Sequence, residues 1–115
     1  MEKLSSKKCQ PCEGGVSSLT KEKALSYLKE LPGWTLNESA KEISRLYVMK
    51  NFLAAVALIQ RIAEIAEAEN HHPDIHLTGY RNLKIVLSTH SIGGLSENDF
   101  VVAAKIEELP KELKK

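Results

Sequence analysis

The sequence predicts an α+β domain, with an antiparallel sheet and helices packed on one face. Segments with the 3.6-residue period of a helix alternate with short segments of strand period, in the order helix, two strands, helix, strand, helix. Pro and Gly punctuate the joins. At 115 residues the chain is one domain with a single core.

Each element has a local reason. Residues 1–18, with "KK", "CQPC", "EGG" and "SS", read as a flexible N-terminal tail ahead of a single domain over 19–115. Thr20 is placed to N-cap a helix over "KEKALSYLKEL", which Pro32-Gly33 stops. "WTLN" and "EISRLYVM" read as strands around an "ESAK" turn. Asn51 caps a long helix that runs to about Asn70. The first half of that helix is apolar on nearly every side, which suggests packing against a second subunit.

Pro73 ends the long helix, because the residue before a proline disfavours helical geometry. "HPDIHLTGY" then reads as a loop, with "DIHLTGY" a candidate for one further short strand. "NLKIVLSTH" is a strand with Leu83, Ile85 and Leu87 on one face, and "SIGG" is a turn. Ser96 and Asp99 have the spacing of a capping box for a last helix, "ENDFVVAAKIEEL".

Composition narrows the function classes. Sixteen basic and fifteen acidic residues leave a formal net charge of +1. Nucleic-acid binding draws on a basic face. Here lysines gather at the two ends (Lys3, Lys7, Lys8; Lys111, Lys114, Lys115), as solvated tails do, so no direct nucleic-acid contact is expected. No apolar run has the length of a membrane span, and no membrane partner is expected. Two cysteines, Cys9 and Cys12, make no disulfide framework and suit a reducing compartment. The expected location is the cytoplasm, or the nucleus or an organelle if a targeting segment has been removed.

The candidate chemistry lies in "ENHHPDIHLTGY", which holds three of the four histidines. His71 and His72 leave the end of the long helix, and His90 stands at the end of a strand. Adjacent side chains project in different directions, so His71 and His72 suit flanking a planar ligand better than sharing one metal. His90 closes such a site if strand end and helix end meet. Imidazole titrates near neutral pH, so the cluster can both donate and accept a proton. Histidines also collect at helix C-termini for the dipole alone. Structural zinc would need ligand spacing the chain lacks: one Cys-x-x-Cys, and a His72-to-His76 interval interrupted by Pro73. No metal site is expected. There is no phosphate-binding glycine loop and no nucleophile elbow.

The combination "ENHHPDI", "GYRNLKIVLSTH" and "GGLSENDFVVAAKI", with "LTKEKALSYLKELPGWTL" upstream, resembles the pterin-4a-carbinolamine dehydratases, also known as dimerisation cofactors of a homeodomain transcription factor. The resemblance covers roughly residues 19–109. It implies a four-stranded antiparallel sheet with three helices and a homodimer or homotetramer. It implies dehydration of 4a-hydroxytetrahydrobiopterin to quinonoid dihydropterin by histidine acid–base catalysis, in tetrahydrobiopterin recycling, with neither metal nor organic cofactor. The other role it implies is a protein-interaction module for a transcription factor.

The resemblance makes His71, His72 and His90 catalytic, with His72 and His90 the proton-transfer pair and His71 positioning the pterin near N5. Asn70, Ser88, Thr89 and Ser91 would line the pterin beside the three histidines, largely through backbone groups. Glu67, one helical turn before His71, would orient it, and Asp99 supports the site while capping its helix. Tyr80 reads as a packing residue. Two features depart from the family pattern. Ile75 stands where an aromatic residue is usual, and the stretch before Tyr80 is one residue longer, with His76 an additional histidine.

Overall fold

The computed structural model describes residues 4–7, 9 and 18–114. Cys12, and with it the Cys-x-x-Cys reading, lies outside the described residues, as does most of the stretch read as a tail. Helix α1 (Lys21–Leu28) begins at Thr20, whose hydroxyl accepts from the Lys23 N–H at 3.2 Å. Strands β1 (Thr35–Leu36) and β2 (Ile43–Val48) follow. Helix α2 (Phe52–Glu69) is capped by Asn51, whose side chain accepts from the Ala54 N–H at 2.8 Å. Strands β3 (Asp74–Thr78) and β4 (Asn82–Leu87) lead to α3 (Glu97–Glu107), where the capping box at Ser96 and Asp99 forms.

The four strands form one antiparallel sheet in the order β1-β2-β4-β3. The fold is therefore the α+β class that the sequence predicts, with one more strand than periodicity alone resolves. "DIHLT" pairs with β4 as a hairpin through Gly79 and Tyr80, both at positive φ. Its alternation is clear in place: Ile75 and Leu77 are half-buried and pack against the core, while Asp74, His76 and Thr78 are exposed. Tyr80 is not a packing residue. It is 57% exposed at the hairpin tip, with the Arg81 guanidinium over its ring.

The inner sheet face carries Ile43 and Tyr47 of β2 opposite Leu87 and Leu83 of β4. Against it pack Ala55, Leu58 and Ile62 of α2 and a run from Phe100 to Ala104 of α3. The helix buried nearly all round is α3, while α2 leaves Phe52, Leu53 and Val56 exposed. One carboxylate ties strands to helix: Glu107 Oε1 accepts from Trp34 Nε1 at 2.9 Å, from an Arg45 N–H at 2.7 Å and from the Tyr47 hydroxyl. Gly33 (φ +93°) makes room for that arginine, since a Cβ there would lie 2.6 Å from it.

The chain ends are attached where they are described. Leu4 is buried in the core cluster. Lys111 is not a free solvated cation: its ammonium donates to the carbonyls of Glu107 and Leu109 at the end of α3. The Lys114 N–H donates to the Val48 carbonyl at 2.9 Å, so the C-terminal residues run beside the end of β2.

Candidate active site

Two chain reversals build the site. Helix α2 stops at Asn70, which adopts the left-handed conformation (φ 51°, ψ 43°) that Asn tolerates better than most residues. The His71 N–H still reaches back to the Ala66 carbonyl at 3.1 Å, so His71 and His72 leave the helix at a fixed angle. At the other reversal, β4 ends and Thr89 exchanges backbone hydrogen bonds with Gly94, enclosing a 3₁₀ turn over His90–Ile92. The strand end meets the helix end. His71, His72 and His90 come together around a cleft of about 530 Å³, with Asn70, Ser88, Thr89 and Ser91 in its lining. That volume lies within the ordinary range for a small-molecule site.

Two of the histidines are held by carboxylates. His71 Nε2 lies 2.6 Å from Asp99 Oδ1. Asp99 is fully buried, and its other oxygen accepts from the Thr89 hydroxyl at 2.8 Å and the Ser96 N–H at 3.0 Å. Since Thr89 donates to Asp99, the Ser96 hydroxyl, 2.8 Å from Thr89 Oγ1, donates to Thr89. A carboxylate only accepts, so Nε2 of His71 carries the proton and Nδ1 is its basic nitrogen. His72 Nε2 lies 2.5 Å from Glu67 Oε2, and the same reasoning leaves its Nδ1 as the acceptor. This pair is open to water, with side chains 56% and 78% exposed.

The pairing differs from the sequence expectation. Glu67 holds His72, and Asp99 holds His71. A one-turn spacing puts Glu67 below His71 only if the helix continues, and it ends at Glu69. Thr89 also differs in part: its hydroxyl and N–H are committed to Asp99 and Gly94, so it supports the site more than it offers polar groups to a ligand. Ile75 does not wall the cleft; it packs inward across from Ile85. His76 lies on the outer sheet face beside Lys84.

Sequence reasoning missed three lining residues: Cys9, Glu69 and Asn98. The Cys9 N–H donates to Glu69 Oε1 at 2.8 Å, and its thiol lies 3.7 Å from the Asn98 carbonyl. Burial, then the charges of Glu69 and Asp99, push the Cys9 thiol up to about 12, so it stays protonated and is no nucleophile. Glu69 carried a signal as part of "ENHHP"; Cys9 and Asn98 carried none.

Residues 17–109 match the sequence profile described as pterin 4 alpha carbinolamine dehydratase. The chain belongs to that family. Among its relatives, pterin-4-alpha-carbinolamine dehydratase 2, mitochondrial, of Arabidopsis thaliana is 46% identical over 113 residues. The match covers 95% of this chain and 60% of the relative's length. A putative pterin-4-alpha-carbinolamine dehydratase of Halorhodospira halophila is 43% identical over 92% of this chain and 96% of its own length. The crystal structure of a transcriptional coactivator/pterin dehydratase from Brucella melitensis superposes with a TM-score of 0.74 at 30% identity, covering 79% of this chain and 96% of that one. Dehydration of pterin-4a-carbinolamine is the activity that goes with this dehydratase family, and the chemistry the cleft has to support.

Proposed function

We propose that the cleft binds 4a-hydroxytetrahydrobiopterin between the ends of α2 and β4 and dehydrates it with its three histidines. One observation carries this reading: His71 and His72 at the end of α2 and His90 after β4 line a single cleft. The reaction breaks the C4a–O bond. Hydroxide is a poor leaving group, so an acid delivers a proton and water departs. A base takes the N5 proton, and the N5 electrons form the C4a–N5 double bond of the quinonoid product. No electrons are exchanged with a second reactant.

His72 and His90 serve as the proton-transfer pair, one as the acid at the C4a hydroxyl and the other as the base for the N5 proton. His71, fixed on buried Asp99, positions the ring and contacts N5. Asn70, Ser88 and Ser91 offer polar groups to the amide edge of the pterin, and Thr89 and Ser96 hold Asp99 in place. Each acid or base contributes about 10²–10⁴-fold. Working compartments compatible with the reading are the cytoplasm and an organelle; the mitochondrial name of the Arabidopsis relative supports the latter.

The exposed Phe52, Leu53 and Val56 of α2 support a homodimer or homotetramer, since apolar side chains gathered on one helix face favour burial. The same face supports the second reading, a protein-interaction module for a transcription factor, and the coactivator wording of the Brucella structure agrees with it.

The test is absorbance-monitored dehydration of freshly generated 4a-hydroxytetrahydropterin, with and without a chelator, against the uncatalysed reaction. Chelator-resistant acceleration is expected, together with its loss in His72→Ala while assembly persists. A folded assembly without acceleration, or a His72→Ala chain that no longer assembles, overturns the reading.

A further inference from the structure

Residues 4–7 and 9, which precede the family match, do more than trail from the domain. Leu4–Ser6 forms a 3₁₀ turn against α3, with Leu4 only 4% exposed. The Ser5 hydroxyl donates to Glu108 Oε2 at 2.5 Å, and the Lys105 ammonium donates to the Ser5 carbonyl at 2.9 Å. Lys7 reaches Glu97 at 3.3 Å. Cys9 then binds Glu69 through its N–H and Asn98 through its thiol. The contacts move from residues 105 and 108 back to 97 and 98, so the segment runs along α3 in reverse and arrives at the cleft. Lys105 also lies 3.8 Å from Glu69, joining the start of the segment to the residue that receives its end.

We propose that this segment is a fixed strap and that Cys9 is a substrate-contacting wall of the cleft that limits the size of the pterin C6 substituent. The inference rests on the proposed pterin dehydration. Cys9 lies on the Asp99 side of the cleft: its thiol meets the carbonyl of Asn98, the neighbour of the carboxylate that holds His71. N5 lies between C4a and C6 in the pterin ring, so turning C4a towards His72 and His90 directs the C6 substituent towards Cys9 in the proposed pose. A thiol that stays protonated suits a wall, because it is small, apolar and unreactive at neutral pH. Anchoring at Leu4, Ser5, Lys7 and Cys9 keeps the wall in place without a ligand, so selectivity comes from a preformed shape.

The experiment compares equilibrium binding of two unreactive oxidised pterins, one with a methyl and one with a dihydroxypropyl group at C6. Binding is followed by pterin fluorescence in the full chain and in its Cys9→Ala and Cys9→Phe variants. Cys9→Phe is expected to weaken the larger pterin about tenfold more than the methyl one, the scale of overpacking a filled site. Cys9→Ala is expected to shift the preference the other way, and it keeps the test alive if the phenylalanine variant does not fold. An unchanged ratio of the two dissociation constants in a folded variant overturns the wall. The outcomes also separate the two readings. A chain that binds both pterins with Cys9-dependent selectivity but does not dehydrate the substrate keeps the wall and sinks the catalytic reading. A chain that turns over with an unchanged ratio does the reverse, and one that binds neither pterin overturns both.

Discussion

His71 Nε2 stands 2.6 Å from Asp99 Oδ1, and the carboxylate is completely buried beneath the cleft. Asp99 thus caps α3, accepts from Thr89 and fixes the tautomer of a histidine that lines the cleft. Asp99→Asn replaces an oxygen that accepts with an amide that donates, so either His71 or the Thr89–Ser96 side loses its partner. Hydrogen bonds to a charged group contribute about 1.5–3 kcal/mol, and a stability loss of that order is expected. Catalysis should fall chiefly in kcat, because ring orientation rather than ligand contact is lost. Chemical denaturation and steady-state kinetics check the two effects. Thr89→Ala combined with Asp99→Asn should be non-additive, since both act on one network.

Glu67 and His72 form the contrasting pair. Both are exposed to water, and exposed polar pairs contribute little to stability. Glu67→Gln should therefore leave the melting temperature nearly unchanged. It should lower kcat modestly, and more at low salt than at physiological ionic strength, where charges are screened over about 8 Å. Steady-state rates at two salt concentrations test this. A kcat loss as large as that of Asp99→Asn would mean that His72 depends on its carboxylate as much as His71 does.

Asn70 sets the angle at which both histidines leave α2. Its φ of 51° lies in the left-handed region, which costs most residues about 1–2 kcal/mol. Asn70→Val should lose stability on that scale and misplace His71 and His72 together. Asn70→Gly should hold the denaturation midpoint close to the parent. Equal midpoints for the two variants would show that the turn is set by Pro73 and not by residue 70.

Much of this arrangement is legible in the one-dimensional pattern, and the illegible part has physical causes. Helix starts are local, so Thr20, Asn51 and the Ser96–Asp99 box can be read directly. The cluster of His71, His72 and His90 is legible as residue types near two element ends, and the structure brings those ends together. Strand β3 is obscured by its length and by Pro73 before it, although Asp74 to Thr78 alternates as a strand does. Which carboxylate serves which histidine depends on where α2 unwinds, and periodicity does not report a left-handed residue. The Glu107 hub and the approach of Cys9 join residues 60 or more positions apart, so no local pattern announces them.

Two phenols, Tyr47 buried and Tyr27 half-buried, make stability depend on alkaline pH. The Tyr27 hydroxyl donates to Glu97 at 2.7 Å, and burial, then that carboxylate, raises its pKa to about 12. Tyr47 is raised as well, by burial first and then by Glu107. In both cases the fold favours the neutral phenol, so the folded chain holds these protons more tightly than the unfolded chain does. Their contribution is fully present below the unfolded value of about 10 and is lost as pH rises towards the folded values. The melting temperature should fall between about pH 10 and 12 more steeply than in a Tyr27→Phe, Tyr47→Phe double variant. Lysines titrate in the same range in both proteins, so the difference between the two curves isolates the phenols. Thermal melts across that range, with tyrosinate absorbance recorded alongside, decide the matter: parallel curves would mean that the phenols ionise as readily in the fold as out of it.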